Sequence, residues 1–314
     1  MLTIGLDVGG TKVLGVVIDP VRPAEVLHER RVPTPPGGEG LVDVLAEVTD
    51  GLVDLAGPVA AVGVGVPGLV DDDGVLRAGA HLQRVANLPL RDDLVARLGV
   101  PVAVENDANG HAVAEHRGGA AVGAQHAVVV TLGTGIGAGV IIRGKLLGGA
   151  HGFAGEPGHM VVDPNGPPCP CGQRGCWEQF ASGNGLARLA RSAALGGRLV
   201  AAVELAGGDP ELVRGEHVTA TARQGDPGAI EVLDELAEWI GVGLANLVNV
   251  LDPELIVIGG GLVEAAEFLL PRAQARVHER VLAGGRRPLV PVVAAVLGER
   301  AGAIGTALLA ADLV

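Results

Sequence analysis

Residues 4–17, IGLDVGGTKVLGVV, return 124 positions later as residues 128–141, VVVTLGTGIGAGVI. Ile4 falls on Val128, Leu6 on Val130, Gly9 on Gly133, Gly15 on Gly139 and Val17 on Ile141. Each copy is an apolar run, a Gly/Thr turn and a second apolar run, which reads as strand, tight turn, strand. A folding unit that occurs twice predicts two similar lobes, each presenting one glycine-rich turn. The alternative is a chance match between two glycine-rich hairpins.

Between and after the two hairpins, strand and helix patterns alternate, so the class is α/β. Helical periodicity covers Gly40–Leu55, Leu90–Leu98 and about Ala108–Arg117. Apolar strands are expected at AAVGVGVP and PVAVEND. Further on, helices are expected from Ser182, over Pro227–Val250 and over Ala301–Ala311, with strands at PELIVIGGG and near PLVPVVAAV. A chain of 314 residues is long enough for two domains. The net charge of −13 repels phosphate backbones and anionic lipid, so neither nucleic acid nor a membrane is an expected partner. With no Tyr, three Phe and two Trp, the chain also lacks the means for an aromatic stacking platform. It shows no leader pattern and no apolar run of the roughly 20 residues that span a bilayer, so a cytoplasmic protein is expected.

All three cysteines fall within eight positions, in the string CPCGQRGC: Cys169, Cys171 and Cys176. An odd number cannot pair off within one chain, and Cys169 and Cys171 stand too close for an easy disulfide. Thiolates favour zinc, which takes four ligands in a tetrahedron, and His159 lies ten residues before Cys169. The set His159, Cys169, Cys171 and Cys176 therefore predicts a closed, structural Zn²⁺ site stapling a Pro- and Gly-rich loop with little core of its own. Three free thiols beside a surface histidine are the alternative.

Two strings resemble nucleotide signatures and fail in context. GVGVPG (residues 63–68) fits GxGxxG, but a proline and an acidic turn follow where a helix should begin. GGTK (residues 9–12) lacks the GK[ST] order of a P-loop. The glycine turns themselves are better candidates. Glycine lets backbone N–H groups close on an anion, and Thr11 and Thr134 add a hydroxyl to each turn. Asp7, at the first turn, is placed to hold Mg²⁺ directly or through water. Gly259, Gly260 and Gly261 open a strand-to-helix turn, a usual place for a nucleotide. In ENDAN, Asp107 begins a helix, as a cap or as a general base for a hydroxyl nucleophile. Glu156 and Glu178 flank the cysteine loop and would converge on a polyol if that loop folds back; otherwise they are solvated glutamates.

These strings together resemble the ROK sugar kinases, of the actin-like ATPase superfamily. The likeness runs over essentially the whole chain: LDVGGTK at the start, END at Glu105–Asp107, TLGTGIGAGVI at Thr131–Ile141, EPGH at Glu156–His159, CPCGQRGCWE at Cys169–Glu178, and LDPELIVIGGG. It implies a two-lobed actin-like ATPase (hexokinase/ROK) fold. The smaller α/β lobe would cover residues 1–117, completed by the C-terminal helix in 301–314, and a larger α/β lobe with the zinc loop would cover 118–300. It implies ATP-dependent phosphorylation of a hexose at its 6-hydroxyl, as in the bacterial glucokinase branch, with kinases for mannose, fructose, allose or N-acetylmannosamine as neighbours. Asp107 would be the catalytic base, and Asn106, Glu156, His159, Glu178 and Gly68 would join it in binding sugar. Gly9, Gly10, Thr11, Lys12, Gly133, Thr134 and Gly135 would cradle ATP with its Mg²⁺, and the Gly259–Gly261 turn would face adenosine. His159 would give one ring nitrogen to zinc and the other to a sugar hydroxyl. The lobes would close over the sugar and exclude water. The cysteine loop points to ATP over polyphosphate as donor. The resemblance also implies a homodimer or homotetramer. Sugar-sensing repressors of the same family carry a DNA-binding domain ahead of this part, whereas here the first strand opens the sequence. His81 stands where the family often has a sugar-binding Asn, while Asn87 before LPL matches, which leaves the preferred epimer open.

Overall fold

Apolar residues at alternate positions build a sheet with both faces covered. In chain order its half of the computed structural model runs β1 (Thr3–Val8), β2 (Lys12–Ile18), β3 (Val26–Pro33), α1 (Leu41–Ala56), β4 (Ala61–Val66), β5 (Gly68–Val70), β6 (Leu76–Gly79), β7 (Ala86–Leu88), α2 (Leu90–Leu98), β8 (Val102–Asn106) and α3 (Asp107–Gly118). The structure describes residues 1–79, 82 and 85–314, so His81 lies outside the described residues. The first sheet has the order β3-β2-β1-β4-β8, with β1 antiparallel to β2 and parallel to β4. One face carries Ile4, Leu6, Val8, Val13, Val17, Val62 and Val64 against Leu45, Val48 and Leu52 of α1 and Leu90 and Leu94 of α2. The other carries Leu14, Val16 and Ile18 against Val113 of α3 and against Ala303, Ile304, Ala307 and Leu308 near the C-terminus. This split by sequence parity is the period-two rule of a strand.

The remaining elements are β9 (His126–Leu132), β10 (Ile136–Ile142), β11 (Lys145–Leu146), α4 (Glu178–Ala181), α5 (Gly183–Leu195), α6 (Val200–Leu205), α7 (Gly215–Arg223), α8 (Pro227–Leu251), β12 (Leu255–Gly259), α9 (Ala266–Arg280), β13 (Val292–Ala294) and α10 (Ala301–Ala311). The repeat read from the sequence is a repeat of structure. Adding 124 to the bounds of β2 gives the bounds of β10, and the second sheet, β11-β10-β9-β12-β13, follows the same pattern as the first. By contacts the chain divides into two compact units. The first comprises Met1–Val129, Ala138–Gly155 and Ala295–Val314, and the second Val130–Gly137 and Glu156–Ala294.

In the first unit α10 rests directly on the sheet. A Cβ at Gly5 would lie 1.8 Å from the Ala303 carbonyl oxygen, and one at Gly63 would lie 1.8 Å from that of Thr306. Gly63 and Gly65 of GVGVPG thus serve helix packing, Gly68 packs on Ala78 of β6, and β4 gives way to β5 at Gly68 with no helix between them. Fully buried Glu115 ties the end of α3 to the segment entering α10: Oε1 accepts from the N–H groups of Val296 (3.1 Å) and Leu297 (2.9 Å), and Oε2 accepts from Ala120 (2.8 Å). In the second unit Trp177 is fully buried, donates Nε1–H to the Trp239 carbonyl at 2.7 Å, and fills the space that Gly243 leaves on α8. No helix among the described residues is long and apolar enough to cross a membrane.

Candidate active site

In the first unit, strand ends and helix starts bring two carboxylates close. Asp7 lies near the end of β1 and Asp107 opens α3, directly after β8. Both border Gly65 of β4: a Cβ there would lie 3.5 Å from Asp107 Cα and 3.7 Å from Asp7 Oδ1. Burial raises the Asp7 carboxyl, His111 pulls it back, the charge of Asp107 adds to the rise and Lys12 opposes it, leaving it at about 6. Two acidic groups this close gain from a divalent cation, which fits Mg²⁺. On its other side Asp7 packs against α10, where a Cβ at Gly302 would meet its carboxylate at 2.6 Å and the His111 ring at 2.8 Å.

Asp107 is fixed by local hydrogen bonds. Asn106 caps α3, its Oδ1 accepting from the N–H groups of Ala108 (2.9 Å) and Asn109 (3.2 Å), while its Nδ2 donates to the Gly68 carbonyl at 3.0 Å. The amide of Asn106 and the carbonyl of Gly68 therefore hold each other, and the Asn106 oxygen is committed to the cap. Asp107 Oδ1 accepts from the Ala108 N–H at 2.9 Å. At the first turn of a helix its negative charge is also favoured by the helix dipole. Sequence reasoning missed two supports of this arrangement. Glu105, whose pKa burial raises, accepts from the Asn106 N–H and from Asn109 Nδ2. His111 Nδ1 lies 3.0 Å from the Asp107 carbonyl oxygen, so that nitrogen carries the proton. Glu105 is the first residue of END and His111 lies four positions after Asp107, but neither position tells what the side chain holds. The turn at Gly9–Thr11 is closed by Gly9 N–H to the Lys12 carbonyl at 2.9 Å and braced by the Thr34 hydroxyl on the Gly9 carbonyl at 2.7 Å, leaving Gly10 and Thr11 exposed. Lys12 is ion-paired with Glu299 at 2.7 Å.

The second unit gathers the predicted metal ligands. One donor atom from each of His159, Cys169, Cys171 and Cys176 lies within 4.8 Å of all the others. Cys169 Sγ is 3.8 Å from His159 Nδ1, and the Cys171 and Cys176 sulfurs are 3.6 Å apart. Zinc bonds of the usual length give tetrahedral corners roughly 3.5–3.8 Å apart, so the donor set fits Zn²⁺. The loop is a small hairpin, with Cys169 N–H donating to the Gln173 carbonyl and Gly175 N–H to that of Pro167, each at 2.8 Å. Since Nδ1 of His159 faces the sulfurs, Nε2 is the ring nitrogen left for another contact. Glu156 immediately precedes the short Pro157–His159 turn, whose Gly158 is pressed onto the Ile136 carbonyl of β10.

Glu178 joins this knot to the glycine turn. Its Oε1 lies 3.1 Å from Cys169 Sγ, and its Oε2 lies where a Cβ at Gly135 would come within 2.6 Å. The Gly133–Gly135 turn is also held from α5, where the Gly183 N–H donates to the Gly133 carbonyl at 2.7 Å. Gly260, at φ 83°, abuts the backbone of Leu132, so a side chain there would lie 2.5 Å from the Leu132 carbonyl oxygen. Within this unit the turns after β9 and β12 and the metal loop are thus one packed group. The first unit likewise assembles Asp7, Gly65, Asn106 and Asp107.

The ROK family profile matches residues 3–313. Glucokinase from Streptomyces coelicolor is 40% identical over 319 aligned residues, covering 99% of this chain and 98% of the relative. Glucokinase from Thermotoga maritima is 35% identical over 309, covering 97% and 95%. The crystal structure of a ROK family glucokinase from Streptomyces griseus, in complex with glucose and AMPPNP, superposes with a TM-score of 0.90 at 40% identity, covering 99% of this chain and all of that one. The duplicated sheet order, the acidic pair and the Cys3His knot thus lie within a match that leaves almost no residue out, and the chain belongs to the ROK family, built on the actin-like ATPase fold.

Proposed function

We propose that this protein is an ATP-dependent glucokinase, transferring the terminal phosphoryl group of Mg-ATP to the 6-hydroxyl of glucose to give glucose 6-phosphate and ADP. The observation that carries the reading is the end-to-end similarity to glucokinases, one of them solved with glucose and an ATP analogue in place. The geometry of each unit agrees with it.

In the first unit Asp107 would accept the proton of the 6-hydroxyl as that oxygen attacks the γ-phosphorus and the bond to the β-phosphate oxygen breaks, releasing ADP. Asp7 would hold the Mg²⁺ that neutralises the phosphates. Asn106 and Gly68 would set the position of Asp107, and the N–H groups of Gly10 and Thr11 would meet phosphate oxygens on a turn that Gly9 closes, with Lys12 supplying positive charge beside them once released from Glu299. In the second unit Glu156, Glu178 and His159 Nε2 would bond sugar hydroxyls. Gly133, Thr134 and Gly135 would contact the phosphates, and Gly259, Gly260 and Gly261 would face the nucleoside. Zinc held by His159, Cys169, Cys171 and Cys176 would close the metal loop and fix the orientation of His159. The reading extends to a cytoplasmic homodimer or homotetramer; the three thiols, none in a disulfide, agree with a reducing compartment.

The test is a panel of hexoses with ATP and with polyphosphate, followed by coupled detection of product. Glucose with ATP is expected to give the highest kcat/KM, with mannose, fructose and N-acetylmannosamine lower by tenfold or more, since a misplaced hydroxyl leaves a polar partner unpaired. A different best sugar, or turnover with polyphosphate alone, would reject glucokinase as the assignment.

A further inference from the structure

When His159 and the three cysteines hold a metal, Cys169 is a thiolate. Glu178 Oε1 lies 3.1 Å from that sulfur. Two anions in contact repel unless a donor bonds to both. The side chain of Gln179 stands beside the pair, within reach of both: its Nε2 is 3.2 Å from Glu178 Oε1 and 3.6 Å from Cys169 Sγ. Both acceptors lie on the same side of the amide nitrogen, so an N–H of Gln179 is shared between them, and the amide carries no charge of its own.

The backbone around Gln179 is held from both sides. Its N–H donates to the Cys176 carbonyl at 3.0 Å, within the metal loop, and its carbonyl accepts from Arg188 of α5 at 3.1 Å. Neighbouring Trp177 and Phe180 are buried, with Phe180 stacked 4.2 Å from Trp239. The amide thus sits on a rigid stem.

We infer that Gln179 is a positioning residue that couples the metal knot to the Glu178 carboxylate, donating to the Cys169 sulfur and to Glu178 at once. It keeps Glu178 aimed at substrate while the adjacent thiolate is negative. The sugar half of this inference rests on the proposed contact between Glu178 and the hexose; the metal half does not.

The experiment compares the zinc-loaded wild type with Gln179→Leu, Gln179→Glu and Gln179→Asn. Two readouts are taken: steady-state kinetics with glucose and ATP, and the rate at which a colorimetric chelator strips zinc. Gln179→Leu should raise KM for glucose about tenfold with kcat and KM for ATP within about twofold, and should speed zinc loss about tenfold, the lower end for lost outer-shell partners. Gln179→Glu adds a third anion without a donor and should exceed Leu in both readouts. Gln179→Asn keeps an amide on a shorter stem and should fall between Leu and wild type. A purely structural role would lower thermal stability in all three without separating KM from kcat, and that result would overturn the inference. So would wild-type zinc loss in Gln179→Leu, or faster zinc loss with an unchanged KM for glucose. If the wild type shows no turnover with glucose, the functional reading fails, and the chelator readout still decides whether Gln179 guards the knot.

Discussion

Asp107→Asn is expected to lower kcat about 10³-fold while KM for glucose moves only a few-fold. A positioned general base is worth about 10²–10⁴ in rate, and an amide cannot take the proton. The substitution leaves the helix start intact, because the cap belongs to Asn106, whose Oδ1 accepts from two α3 N–H groups. Losing one negative charge at the first turn costs about 0.5 kcal/mol. Removing the charge that raises Asp7 offsets part of that. The melting temperature should therefore stay within about 2 °C of wild type, and the loss should be one of chemistry. Steady-state kinetics beside a thermal melt checks this. A variant that retained a tenth or more of wild-type turnover would remove Asp107 from the role of base.

The second large effect is expected on removing zinc. Cys171→Ser, or wild type treated with a strong chelator, should lose the metal, lower the apparent melting temperature by about 5–10 °C and raise KM for glucose more than tenfold. The stability loss follows from the composition of the loop: Pro167–Gly175 is held by a few backbone hydrogen bonds and buries only Cys169 and Gly175. A structural metal in such a loop supplies the folding energy that a core would otherwise supply. The loss of affinity follows from two neighbours of the knot. His159 turns Nδ1 to the sulfurs, and Glu178 reaches from Cys169 to Gly135. With the metal gone, neither is held. Metal content by atomic absorption, a melt and a glucose titration decide it. A fall in stability with unchanged KM would mean that the knot supports the fold without forming part of the sugar site.

Much of this was legible in the sequence because the signals were dense and local. The 124-residue echo marked both hairpins, and the cysteine spacing named the same four ligands that the structure gathers within 4.8 Å. The helices α2 and α10 have the bounds expected from the sequence, although neither has a side-chain N-cap. The strand near PLVPVVAAV is shorter than its apolar run, spanning only Val292–Ala294, because Pro288 and Pro291 have no N–H for a ladder. β3 went unread because VLHERRVP is a charged, half-exposed edge strand. The supports of the site were least visible. Glu105, His111 and Gln179 stand in or beside the motifs, but nothing in the string marks what each holds, since each acts through a contact that exists only after folding. GVGVPG is rightly set aside as a nucleotide signature, and its use is packing: Gly5 of β1 and Gly63 of β4 make room for α10, some 300 and 240 residues away in the chain.

The central claim is that a phosphoryl group passes from ATP to the primary alcohol of glucose. Incubating the purified, zinc-loaded protein with glucose and Mg-ATP and following the mixture by ³¹P NMR tests it directly. The account predicts one ADP for each phosphomonoester formed, with the ester on carbon 6 and no product when Asp107→Asn replaces wild type over the same interval. ADP accumulating without a sugar phosphate, or phosphate at any other hydroxyl, would contradict it.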